Sequence, residues 1–331
     1  MNDDIIVAQK LCKSFGSFKA VKDLDLTIKR GEVFGFLGPN GAGKSTTINI
    51  FTTMLAPTSG TAKVAGYDVI EDGHKVRGSI GIVPQEVLLE AQLSARENLE
   101  FYGKLYHMDR ETMDERIPEL LEMAGLTQRA DDQTKTFSGG MKRRLEIVKA
   151  FMHRPAIIIM DEPTIGLDIQ TRMVIWDKIK ELNSKGITIF ITTHYLDEAD
   201  LLCDRIAIMD KGEIKAMGTP EELKHIVGRE KGAVVELEFS GPEKEFIEGM
   251  KQISGKYMMR KNHGKKISFS CKNPVDAIKK TLELASKCDV KIVHITMREP
   301  SLDDVFVHYT GRAIREQGEQ NTQKKFLAKM R

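Results

Sequence analysis

Val33-Phe34-Gly35-Phe36-Leu37-Gly38-Pro39-Asn40-Gly41-Ala42-Gly43-Lys44-Ser45-Thr46 is the stretch on which the fold turns. Its first five residues form an apolar run that reads as a buried strand. Gly38 to Ser45 then fills the pattern G-x-x-x-x-G-K-[ST]. Glycines in such a loop let backbone N–H groups turn inward around phosphate oxygens. Lys44 sets a cation against the β- and γ-phosphates, and Ser45 offers a hydroxyl to Mg²⁺. Ile48, Phe51 and Leu55, spaced three to four apart, predict a helix whose positive N-terminus points at the anion. Strand, glycine-rich turn and helix together open an α/β domain of the P-loop class.

Working outward, five further features gather around this loop. Ile157–Met160 is a second buried strand, and it ends in Asp161, where a carboxylate can hold Mg²⁺ through water. The neighbouring Glu162 can polarise an attacking water. Phe137-Ser138-Gly139-Gly140-Met141 is a serine-led turn opening a helix, with Met141, Leu145, Val148 and Met152 as its apolar stripe and Lys142, Arg143 and Arg144 off that stripe. His194 ends the strand Ile187–Thr193, within reach of a γ-phosphate. Gln85 stands where a strand gives way to a helical stretch and can ligate the metal. Phe15, upstream, offers a ring on which adenine can stack. Each is ordinary alone: a serine N-cap, a satisfied histidine, an exposed glutamine, a core aromatic. Trp176 sits with Met173, Ile179 and Leu182 at helical spacing and reads as packing.

In this order the motifs resemble the ATP-binding subunits of ABC transporters, over roughly the first 225 residues. The resemblance implies ATP and Mg²⁺ as cofactors and ATP hydrolysis coupled to transmembrane transport. It makes Phe15 the adenine-stacking aromatic, Gly38 through Thr46 the Walker A loop, and Gln85 the Q-loop residue. Ser138, Gly139 and Gly140 become the signature, and Gly166-Leu167-Asp168 the D-loop. Asp161 is then the Walker B aspartate, Glu162 the catalytic glutamate and His194 the switch histidine, with Ser45, Gln85 and Asp161 holding the metal. It further implies a head-to-tail dimer, with itself or a close paralogue, in which each ATP lies between the Walker A loop of one subunit and the signature of the other. A separate transmembrane permease is implied, at the cytoplasmic face of the cell membrane, and no nucleic acid. Phe137 and Met141 replace the leucine and glutamine of the commonest signature. That form, with Pro300-Ser-Leu-Asp-Asp-Val-Phe306 near the C-terminus, is similar to the daunorubicin-resistance and sodium-extrusion type, and implies an exporter of drugs, ions or lipids.

The chain of 331 residues is long enough for one large domain and a smaller one. Short apolar strands alternating with helical patterns predict the ATPase domain over 1–228, with a helical subdomain inserted at about 86–140. The polar, glycine-bounded Val227-Gly-Arg-Glu-Lys-Gly232 predicts the boundary. Residues 229–311 then read β-α-β-β-α-β, a small α+β module of ferredoxin-like order. Residues 312–331, with Lys324, Lys325, Lys329 and Arg331, read as a basic, flexible tail. There is no apolar window of 18 residues, and the start Met1-Asn-Asp-Asp is acidic, so a soluble chain is expected. Cys12, Cys203, Cys271 and Cys288 are scattered and read as buried, reduced thiols. Two rival readings stand beside transport. A non-transport ABC ATPase in nucleic-acid or translation processes usually shows a long coiled-coil insertion or a second cassette, and neither pattern is present. The β-α-β-β-α-β order is also that of RNA-recognition modules, but the strand around Ile267–Ser270 has Phe269 without the aromatic-rich basic pattern.

Overall fold

The computed structural model describes residues 3–242, 244–254, 257–260 and 265–311. The anticipated tail at 312–331 therefore lies outside the described residues. The chain divides into two compact units at Pro220/Glu221.

The first unit opens with β1 (Asp4–Phe15), β2 (Phe18–Lys29) and β3 (Val33–Leu37), followed by α1 (Lys44–Phe51), β4 (Ser59–Val64), β5 (Tyr67–Asp68), α2 (Gly73–Ser79) and β6 (Ile80–Val83). The inserted helices are α3 (Ala95–Leu105), α4 (Arg110–Met123) and α5 (Gly139–Ala150). The unit closes with β7 (Ile157–Asp161), α6 (Ile169–Ser184), β8 (Thr188–Thr192), α7 (Leu196–Leu202), β9 (Arg205–Asp210) and β10 (Glu213–Gly218). Two sheets result, a four-stranded antiparallel one in the order β2-β1-β4-β5 and a six-stranded one in the order β10-β9-β3-β8-β7-β6. The latter is parallel except for the β9–β10 pair.

A strand covered on both faces is dominated by apolar residues, and β3 and the Ile189-Phe190-Ile191 centre of β8 fit this, both strands being buried at every position. Phe190 of β8 fills the centre. The rings of Phe34 and Phe36 lie 6.0 and 5.4 Å from it, and Phe51 of α1 meets it edge-on at 6.1 Å. The helix after the phosphate loop is thereby fixed to the strand before it. In the insertion, Ser94 and Glu97 form a reciprocal capping box at the start of α3.

The second unit begins with α8 (Pro220–Lys231), so the boundary anticipated at Val227–Gly232 falls within and just after a helix. Glu221, Glu222, Leu223 and Lys224 are good helix formers that carry the helix through Gly228. It ends where Gly232 adopts φ 81° and donates to the Gly228 carbonyl at 2.8 Å. There follow β11 (Ala233–Ser240), α9 (Lys244–Ser254), β12 (Tyr257–Arg260), β13 (Lys265–Cys271), α10 (Pro274–Lys287), β14 (Lys291–Arg298) and α11 (Leu302–Thr310). The sheet order β12-β13-β11-β14, antiparallel throughout, is the ferredoxin-like topology that the element order implies. Val235, Leu237, Phe239, Ile267 and Phe269 pack with Phe246 and Met250 of α9. The Pro300–Phe306 motif has a local cause. Ser301 and Asp304 form a capping box that starts α11, and Leu302, Val305 and Phe306 are its buried face.

Of the four cysteines only Cys203 is buried; Cys12, Cys271 and Cys288 are half-buried, so the expectation of four buried thiols is corrected. All four are free. Among the described residues no helix is long and apolar enough to cross a membrane.

Candidate nucleotide site

Strand order builds the site. β3, β8, β7 and β6 are consecutive neighbours, and the parallel members deliver their following residues to one edge. Lys44 and Ser45 come from the loop after β3, His194 from the end of β8, Asp161 and Glu162 from β7, and Gln85 from the exit of β6. These side chains line one cleft of about 540 Å³ together with Asn40, Gly41, Ala42, Gly43 and Thr46.

The loop is held from below. Gly43 stands at φ 113°, and a Cβ there would come within 2.5 Å of the Ala20 carbonyl, so only glycine fits. Lys44 is 7% exposed, and its Nζ donates to the carbonyls of Gly38 at 2.6 Å and Pro39 at 3.3 Å. Burial pushes its pKa down, while the charges of Glu162 and Asp161 pull it back up. A cation already flanked by two carboxylates is a natural seat for a phosphate and its counter-ion.

Opposite the loop, Thr192 of β8 donates through Oγ1 to Asp161 Oδ1. The Glu162 N–H reaches the Thr192 carbonyl at 3.0 Å. Glu162 itself adopts φ 48°, a left-handed conformation uncommon for a residue with a Cβ. Its Oε1 lies 2.6 Å from His194 Nε2, and its Oε2 is buried without a hydrogen-bond partner. A carboxylate with one oxygen on a histidine and the other unsatisfied is arranged to orient a water or hydroxyl that arrives with substrate.

Arg143 was missed from sequence. The sequence reading placed it off the apolar stripe and gave it no role, yet it is 3% exposed and donates to the carbonyls of Pro84 and Pro163, at 2.6 and 2.5 Å. The only hint was its position among three consecutive cations one turn after the serine.

The remaining expected residues lie outside this cleft. Ser138 accepts from the Met141 N–H at 3.3 Å as the cap of α5. Asp168 caps α6, accepting from the N–H and hydroxyl of Thr171 at 2.9 and 2.8 Å. A Cβ on Gly140 would meet Thr171 Cγ2 at 2.6 Å, so that glycine serves packing inside the chain. A Cβ on Gly139 would find nothing nearer than Leu167 at 3.9 Å. Phe15 is paired across the β1–β2 hairpin with Phe18. Phe18, not Phe15, lines the cleft. Trp176 packs as expected, with its Nε1 donating to buried Glu198 at 2.7 Å. A larger open groove of about 750 Å³ beside Lys19, Lys22, Asp23 and Glu213 contains none of the phosphate-loop groups.

A phosphate loop facing an acidic strand end and a histidine, with a separate Ser-Gly-Gly helix on an inserted helical layer, defines a nucleotide-hydrolysing cassette. Comparison with known proteins agrees. Residues 21–165 match the ABC transporter family, and residues 218–310 match the C-terminal domain of DrrA1-3-like ATP-binding proteins. The chain is 38% identical over 313 residues to the linearmycin resistance ATP-binding protein LnrL of Bacillus subtilis (strain 168), covering 94% of this chain and 100% of that one. It is 35% identical to the daunorubicin resistance ATP-binding protein DrrA3 of Streptomyces coeruleorubidus, over 94% and 97% of the two chains. A dimeric ATP-binding cassette bound to ADP and Pi, in a post-hydrolysis state, superposes with a TM-score of 0.58 at 31% identity, covering 65% of this chain and 98% of that one. The protein belongs to the ATP-binding subunits of ABC transporters, in the group with the DrrA-like C-terminal domain, and is an ATPase.

Proposed function

We propose that this chain hydrolyses MgATP for an exporter of drugs, ions or lipids, as a homodimer or paralogue dimer bound to a separate permease at the cytoplasmic face of the membrane. The observation that carries the reading is Glu162, held by His194 on one oxygen and buried unpartnered on the other, in the same cleft as Lys44. Glu162 is the group that takes the proton of the attacking water, and His194 orients it. Resistance and export names among the relatives support the cargo class.

The donors at the cleft fit Mg²⁺. Ser45, Gln85 and Asp161 offer oxygens, the hard ligands this ion takes, and the small number of protein donors suits an ion that keeps waters and phosphate oxygens. When bound, the ion would neutralise charge on the β- and γ-phosphates. Lys44 holds the same phosphates, Phe18, paired across the hairpin with Phe15, offers the cleft a ring for adenine, and Thr192 fixes Asp161 Oδ1 so that its other oxygen is available. Ser138, Gly139 and Gly140 act from the opposite subunit. Gly139 supports this, since nothing in its own chain requires a glycine there, whereas a γ-phosphate approaching across a dimer would.

The division of labour follows the two units. Residues 1–220 carry nucleotide chemistry, and 221–311 form an accessory module that braces or regulates the dimer. An RNA-binding reading of that module gains no support, because Phe239, Phe246 and Phe269 are buried in its core rather than presented for stacking.

The test is phosphate release from MgATP by wild type and Glu162→Gln, with binding followed by ATP-induced thermal stabilisation. Loss of the base lowers turnover about 10²-fold or more with binding retained. Equal turnover in the two proteins would refute the assignment.

A further inference from the structure

Two buried cations on α5 hold opposite ends of one short loop. Arg143 donates through Nη1 to the Pro84 carbonyl at 2.6 Å, and Lys149 through Nζ to the Leu88 carbonyl at 2.7 Å. Between those carbonyls lie Gln85, Glu86 and Val87. Glu146, fully buried on the same helix, lies 2.9 Å from Lys149 Nζ and supplies the counter-charge. Arg143 does more. Its Nε donates to the Pro163 carbonyl at 2.5 Å, and its Nη2 makes longer bonds to the carbonyls of Asp161 at 3.4 Å and Glu162 at 3.3 Å.

Three consecutive carbonyls, 161 to 163, thus converge on one guanidinium, and the middle residue is the one held at φ 48°. A left-handed non-glycine residue persists only where its surroundings over-determine it. Here the restraints are the Thr192 strand on one side and the Arg143 fork on the other. A planar guanidinium with several fixed N–H directions can orient successive peptide planes in a way that a lysine cannot.

We propose that Arg143, assisted by Lys149, is a positioning residue that joins the Ser138 helix, the Gln85 loop and the Glu162 backbone into one mechanical unit, so that displacement of the signature helix or the Gln85 loop is transmitted to the hydrolytic carboxylate. This rests on the reading of Glu162 as the base. It adds that the base is aimed by a side chain from the inserted helical layer, which is not among the residues lining the nucleotide cleft.

The experiment uses the full chain. Arg143→Met, Arg143→Lys, Lys149→Met and Glu162→Gln are compared for kcat and KM in MgATP hydrolysis, with circular dichroism and melting curves for each. A catalytic group misplaced by about 1 Å costs up to ~10²-fold, so Arg143→Met lowers kcat by at least ~10-fold while KM for ATP stays within ~3-fold. Arg143→Lys recovers part of the loss, and Lys149→Met loses less than Arg143→Met. The double variant Arg143→Met/Lys149→Met, measured alongside, falls short of the product of the single effects because both act through one loop. Variants that melt earlier but match wild type in kcat and KM per folded molecule would overturn the proposal, and so would a fully active Arg143→Lys paired with an unfolded Arg143→Met. Wild-type hydrolysis by Glu162→Gln would instead bring down the reading on which the proposal stands.

Discussion

Replacing Lys44 with methionine keeps the buried stem and removes only the charge. In the protein as described, the ammonium is met by two loop carbonyls and two carboxylates close enough to raise its pKa against burial. Bound nucleotide would add bonds to phosphate oxygens, worth about 1.5–3 kcal/mol each for charged partners. Setting the lost carbonyl bonds against two of these leaves about 3 kcal/mol, or a ~150-fold weaker Kd. At a MgATP concentration 100 times the wild-type Kd, linkage gives wild type about 2.7 kcal/mol of stabilisation and the variant about 0.3. For a unit of this size that is a shift of about 5–10 °C against about 1 °C. Thermal melts across a MgATP titration read both numbers. A second arm uses pH. Because the folded pKa of Lys44 is lowered, the unfolded chain binds that proton more tightly, and stability rises with pH between the lowered value and 10.5. Lys44→Met flattens that alkaline rise. If Lys44→Met is stabilised by MgATP over the same concentration range as wild type, the phosphate-loop argument is wrong.

Gly139→Val is expected to bind MgATP normally yet lose turnover about 10²-fold or more, since an added Cβ comes no nearer its own chain than ordinary contact with Leu167 at 3.9 Å. Mixing it with Lys44→Met subunits restores part of the hydrolysis, each heterodimer having one intact composite site; no recovery at any ratio would argue against sharing of sites. Burial drives His153 down to about 4, with its bond to the Ile80 carbonyl pulling the other way. The unfolded chain therefore binds more protons between that value and 6.5, and stability falls as pH drops through this window. In His153→Gln that dependence weakens, and parallel denaturation midpoints for the two proteins at pH 7, 5.5 and 4.5 would contradict it.

The phosphate loop, the acidic strand end, the histidine and the parallel sheet were legible because each depends on local pattern: glycine spacing, apolar runs, a charged residue ending a strand. The β-α-β-β-α-β order was readable for the same reason. The antiparallel sheet β2-β1-β4-β5 was not anticipated. What escaped depended on three-dimensional neighbours. Arg143 was given no role, since its partners are carbonyls at 84 and 161–163 that carry no side-chain signature. The domain boundary was placed eight residues late because Gly228 resembles a breaker, whereas its flanking residues sustain a helix. Phe15 and Phe18 are equivalent in sequence, and only the hairpin register shows which ring lines the cleft. Gly139 and Gly140 are likewise adjacent letters with different reasons for being glycine, one internal and one not.

The position of β8 has a consequence for how the molecule comes into being. Thr188–Thr192 lies between β3 and β7 and is hydrogen-bonded to both, yet it is made last of the three. Until it emerges from the ribosome, the strand that carries the phosphate loop and the strand that carries the acidic pair have no common neighbour. Contacts so distant in sequence form slowly, and they form only after the intervening segments have been brought together. A nascent chain of 180 residues therefore contains Lys44, Asp161 and Glu162 but no assembled pocket. Nucleotide binding becomes a marker of completed folding, and ATP in the cell stabilises finished subunits while leaving unfinished ones without that support.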